Sequence, residues 1–277
     1  IAISAFVATI IAWASTLLPA EWTSTPWHPL LACALFIVPG VPLINFVDDM
    51  LDNYIQVGIV RAVNTLLMVA AMAFGIAFAV KLCHIENFFP TISMVPHHQY
   101  WEYAIAAAIS AMGFSMIFNI QRRLLWVVAI GGIIAVCTRN FVNLGPSTDN
   151  IGLDMGLVIG SFSGAVLVSL IAIKAVHWFH VPNHVLTIPS VIPMIPGVLM
   201  YRMLFGIINI NVQSIDQVTP LMKAIESGVN SGLVIMCIAL GVAIPNIFGR
   251  RFIASSKNKR LAELLKERKA RGKFVEW

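Results

Sequence analysis

Two dipeptides interrupt the apolar runs of this sequence where a helix would least tolerate it. Pro39-Gly40 sits inside Phe36-Ile-Val-Pro-Gly-Val-Pro-Leu-Ile-Asn45, and Pro196-Gly197 inside Ile192-Pro-Met-Ile-Pro-Gly-Val-Leu-Met-Tyr201. Proline in a helix interior removes a donor and clashes with the preceding turn, at about 3 kcal/mol, and glycine adds about 1 kcal/mol. At membrane depth such a break is tolerated where the opened backbone lines a cavity. There, half-helix N-termini can face an anionic group and freed carbonyls can face a cation. Either break alone reads equally as a proline kink; two in matching positions point towards a substrate site.

Ionisable residues inside apolar runs are the second set of candidates. Arg61 falls two turns into its run, Arg202 lies just beyond Gly197, and Glu226 follows Lys223 by three residues with Asn230 one turn further on. A fixed arginine could clamp a carboxylate through two parallel hydrogen bonds, and a buried glutamate could carry a proton. Lys223 and Glu226 could equally be an ordinary interfacial pair. Asp48, Asp49 and Asp52 cluster after the first Pro-Gly run; neighbouring carboxylates raise one another's proton affinity, although a solvated helix end is the simpler account. His177-Trp-Phe-His180-Val-Pro-Asn-His184 has no zinc-ligand spacing and reads as an interfacial aromatic belt. Cys33, Cys83, Cys137 and Cys237 are scattered and form no CxxC pair. No phosphate-binding glycine loop, GxSxG or HExxH is present, so neither a cofactor nor a metal site is expected, and no enzyme constellation is visible.

The elements that must hold these residues follow from composition. The 277 residues are 58% hydrophobic and only 11% charged, less than half the charge of an average soluble domain. Lipid must therefore cover the surface. Runs of the length needed to span a bilayer fall at 1–18, 29–47, 55–81, 101–119, 124–140, 153–176, 184–206 and 219–249, giving an all-α polytopic membrane protein with eight spanning helices. Basic residues are concentrated at the end: from Arg250 onward there are ten Lys/Arg against three Glu. That excludes a distributed nucleic-acid-binding surface and marks the tail as cytoplasmic. Residues 257–273 suit a basic helix against the inner leaflet or in solvent. Arg122, Arg123 and the Asp48–Asp52 cluster then fall on the same side, with Lys81 and Arg139 near outer helix ends.

The two Pro-Gly spans lie five helices apart, and so cross the membrane in opposite directions. That is the pattern of an inverted repeat of five-helix modules with a Pro-Gly broken helix in each. On this reading residues 1–81 are the last three helices of the first module, 82–100 an extracytoplasmic connection, 101–249 the second module and 250–277 the cytoplasmic tail. Two more helices are then expected upstream of Ile1, in keeping with the absence of an initiating methionine.

The run Pro39-Gly40-Val-Pro-Leu-Ile-Asn45-Phe-Val-Asp48-Asp49 with Gly58 and Arg61 resembles the threonine/serine exporter family. So do Gly113-Phe114, Phe118-Asn119-Ile-Gln-Arg122-Arg123, Gly131-Gly132, Val181-Pro182 and the stretch from Ile188 through Pro193, Pro196 and Gly197 to Tyr201-Arg202. The resemblance covers nearly all of the chain except its tail. It implies a ten-helix secondary transporter in the bacterial cytoplasmic membrane, with a soluble N-terminal domain expected before the first helix. Export of threonine and serine would be driven by the proton motive force, and a split two-subunit relative is associated with succinate export. Carried over residue by residue, Asn45, Asp49, Gly58 and Arg61 match the first module, and Asn119, Pro196, Gly197 and Arg202 the second. The extra acid Asp48 and the long tail depart from the pattern and leave the substrate open.

The expected substrate-binding set is therefore Pro39, Gly40, Asn45, Arg61, Asn119, Pro196, Gly197 and Arg202, and the proton-coupling set Asp48, Asp49 and Glu226. The expected partners are a small carboxylate-bearing solute (threonine, serine or succinate), protons and lipid, with a homo-oligomer allowed. A passive channel for small solutes is the rival reading.

Overall fold

The computed structural model describes residues 1–15, 39–83, 99–146, 151–179, 181–208 and 218–270. The expected end of the first span, the first half of the second, most of the 82–100 connection, His180 and the last residues of the tail lie outside them. The described elements are all helical: α1 Ala2–Ser15, α2 Gly40–Leu51, α3 Ile55–Leu82, α4 Tyr100–Ile117, α5 Leu125–Asn143, α6 Leu157–Phe179, α7 Asn183–Val191, α8 Gly197–Ile208 and α9 Val218–Ala270. Short 3-10 turns lead into α5 (Arg122–Leu124) and follow α7 (Ile192–Met194).

Four stretches among the described residues are long and apolar enough to cross a membrane: Ile55–Leu82, Arg122–Asn143, Leu157–Val176 and Leu221–Gly249. The count of eight is not reached by this criterion. α1 and α2 are described over 14 and 12 residues, α4 opens on the polar run Tyr100-Trp-Glu-Tyr103 and is not among the four, and the run at 184–206 is divided into α7 and α8. Prolines explain that division. Pro189 lies inside α7, and Pro193 and Pro196 remove two backbone donors in succession. Ile195, which precedes Pro196, takes the extended conformation that proline imposes on its neighbour (φ −62, ψ 130).

Helix ends also differ from the reading of the sequence. α2 runs on to Leu51, so Asp48 and Asp49 belong to its last turn rather than to the following loop. α9 has 53 residues and continues unbroken through Pro245 into the basic tail. At 1.5 Å per residue it is roughly 80 Å long, far more than the ~30 Å hydrocarbon core. The tail therefore extends the last span rather than starting a separate helix.

Association of apolar helices in lipid depends on close approach, which small residues permit. A methyl group on Gly132 of α5 would stand 3.0 Å from the Ala107 carbonyl oxygen and 2.7 Å from the Ala111 methyl on α4. Gly160 and Gly164 on α6 play the same part against α5, with the Arg139 and Ala135 carbonyl oxygens 2.6 and 2.5 Å from the added carbon. α9 lies along α6 and α8 and also touches α2, α1 pairs with α3, and α8 touches α3. Ile44 and Val47 of α2 share one buried cluster with Met194, Val191, Val234 and Ile238, so the two expected modules have a common core. Large side chains such as Phe74, Trp126 and Trp178 point outward, as lipid-facing residues do.

Candidate functional site

The starts of α2 and α8 face each other. α2 starts at Gly40, directly after Pro39, and α8 starts at Gly197, directly after Pro196. A methyl group on Gly40 would stand 2.5 Å from Cδ1 of Ile195, the residue that separates the 3-10 turn from Pro196. Gly40 therefore allows one break to seat against the other. Each half-helix has first-turn N–H groups without a carbonyl partner inside the helix: Gly40 and Val41 in α2, Val198 and Leu199 in α8. Leu43 and Met200 donate the first regular bonds, to the carbonyls of Pro39 and Pro196. Two positive helix ends are brought into one neighbourhood, an arrangement that favours an anion. Gly40 and Gly197 are buried, Pro39 and Pro196 half-buried, and Asn45 half-buried one turn further along α2.

A second polar group gathers at the far end of α2. Arg61 Nη1 on α3 lies 2.5 Å from Asp49 Oδ2. Asp48 reaches across to α7, its Oδ2 3.8 Å from Nε2 of His184. Two carboxylates in the last turn of a helix oppose its dipole, and each is met by a basic side chain from a different element. Beside His184, the Asn183 side-chain amide is buried with no hydrogen-bond partner among the described residues. Arg61 also borders an open groove of about 400 Å³ with Gln56, Val57, Val60 and Asn64. The turn that aligns Asp49 with Arg61 depends on Asn53, whose φ of 68 is the left-handed conformation asparagine tolerates. Tyr54 N–H then closes back on the Asp49 carbonyl at 2.8 Å.

Other expected residues are placed elsewhere. Asn119 ends α4 with φ 56. It donates its N–H to the Met116 carbonyl (3.1 Å), and Ile120 donates to that of Ser115 (3.0 Å). Its side chain is exposed, and this cap accounts for an asparagine there. Glu226 and Lys223 are both exposed on α9. Arg202 is half-buried on α8, one turn beyond Gly197.

Two residues given no site role by the sequence matter here. His184, assigned to an aromatic belt, instead meets Asp48. Arg139, assigned to an outer helix end, turns back to the second break: Nη1 donates to the Met194 carbonyl at 3.5 Å and Nε to Asn140 Oδ1 at 3.2 Å. A helical Cα–Cβ bond leans towards the helix N-terminus, which aims a residue near the end of α5 back into the span. That lean is the only sequence signal that could have found it. Among the described residues, no group of three or more His, Cys, Asp and Glu could hold a metal.

The described residues are all helical, with four helices long and apolar enough to cross a membrane, and so define a polytopic membrane protein. The family model described as threonine/serine exporter matches residues 103–248, and that of the putative threonine/serine exporter matches residues 1–83. The chain belongs to the threonine/serine exporter family, and as such it is a multi-pass membrane protein that exports small solutes. No solved structure matches it.

Proposed function

We propose that this protein is a secondary exporter of threonine and serine, driven by the proton motive force across a bacterial cytoplasmic membrane with its basic tail inside. The observation that carries the reading is the contact of Gly40 with Ile195, which joins the N-terminal ends of α2 and α8. Two helix starts in contact offer backbone N–H groups to a carboxylate. Inverted five-helix modules would let the solute site at that contact open first to one side and then to the other as one module rocks against the other. Asp48 and Asp49, each facing a basic partner, are the carboxylates proposed to exchange protons at the cytoplasmic end. Glu226, exposed on α9, has no such setting and is not retained in that role.

The test is efflux of labelled serine, threonine or succinate from proteoliposomes, with and without an imposed pH gradient. The expected result is gradient-dependent movement of the two amino acids. Movement of succinate alone would keep the mechanism and replace the substrate, whereas leakage indifferent to the gradient would mean a channel.

A further inference from the structure

Arg139 is a cation inside the Arg122–Asn143 span, and its hydrogen-bond partners among the described residues are neutral. Nε donates to the Asn140 amide oxygen, and Nη1 reaches the Met194 carbonyl only at 3.5 Å. A guanidinium has five donors in a planar fork, so most of its capacity is unused. No carboxylate among the described residues lies within ion-pair distance of it, whereas Arg61 is already matched by Asp49. A charge in a membrane interior is costly unless paired, and one kept there marks a pathway or a ligand. The position fits that purpose. Met194 lies eleven residues beyond the start of α7, which at 1.5 Å per residue is roughly 16 Å along the span, about half of a ~30 Å hydrocarbon core. Next to Gly160, which packs on the Arg139 carbonyl, Ser161 is fully buried and its hydroxyl has no hydrogen-bond partner among the described residues. Polar capacity at this level is thus left unmet on two helices.

We infer that Arg139 is the specificity-determining residue that binds the carboxylate of the exported solute beside the second break. This rests on the exporter reading and gives it a named anchor, which the sequence had sought in Arg61 or Arg202. The solute supplies the counter-ion that the protein omits. Its carboxylate takes the free edge of the guanidinium, and the adjoining α8 N-terminus faces the same charge. The carboxylate is common to serine and to a dicarboxylate, so the anchor is compatible with either source.

The test uses the intact protein in proteoliposomes, comparing serine, succinate and serinamide, which keeps the ammonium and hydroxyl of serine but lacks the carboxylate. Wild type should move serine and discriminate against serinamide. Arg139→Gln should raise the half-saturating serine concentration by about 10- to 100-fold, the usual cost of a lost charge-assisted hydrogen bond, and should abolish the discrimination. Arg139→Lys keeps the charge without the fork and should fall between them. It also keeps the proposal testable if the glutamine variant does not fold. A wild type that moves serinamide as readily as serine overturns the anchor while leaving the exporter reading intact. An Arg139→Gln variant that slows serine and serinamide equally shows a purely structural clip, and overturns it too. A wild type that moves neither serine nor succinate removes the exporter reading and this inference together.

Discussion

Asp49 and Arg61 show how little a charged pair has to be worth in order to matter. Their side chains are 23% and 39% exposed, so the pair is partly screened, and a coupling of about 1 kcal/mol is the appropriate scale. A double-mutant cycle with Asp49→Asn and Arg61→Gln, followed by thermal unfolding in detergent, should show that second-site loss costs less than the first by about that amount. Strict additivity would mean that the two do not interact. The sequence marks both residues, because an arginine two turns into an apolar run needs a reason, but it does not join them. The turn at Asn53 that does so depends on a left-handed residue, a signal readable only once the helix end is known. Arg139 is harder still: its position near the end of a run is what an interfacial arginine also shows, and only the direction of its side chain separates the two.

Helix ends carry the clearest separation of folding from transport. Asn53 and Asn119 both terminate helices in left-handed conformation, with φ 68 and 56. Asn119→Gly should therefore be tolerated, and Asn119→Val should destabilise by about 1–2 kcal/mol, since a β-branched residue there strains the backbone. Serine efflux per folded molecule should be unchanged in both. A transport defect in Asn119→Gly with normal thermal stability would return Asn119 to the substrate path. The interruption before α8 was legible because proline leaves a local mark in sequence. The extent of α2 was not, because a run of aspartates looks like a loop until basic partners from α3 and α7 are seen to offset the helix dipole. The continuity of α9 was missed for a similar reason: the change from apolar to basic composition at Arg250 marks where the helix leaves lipid, not where it ends.

At the scale of the whole molecule, composition alone shows that lipid covers the surface, and matches over residues 1–83 and 103–248 place both parts of the chain in one exporter family. What composition does not show is which helices meet, because lipid-facing and core-facing residues are alike apolar. Glycines such as Gly132, Gly160 and Gly164 mark those meetings through backbone approach, and Gly40 marks the one between the two breaks. The account depends on that meeting. Its most direct test replaces Gly40 and Ile195 with cysteines, in a protein whose Cys33, Cys83, Cys137 and Cys237 have been changed to alanine, and joins them with a short thiol crosslinker. Crosslinking should stop serine efflux and reductive cleavage of the link should restore it, with the uncrosslinked double variant still active. Quantitative crosslinking with undiminished efflux would contradict the claim that solute passes where the two breaks meet.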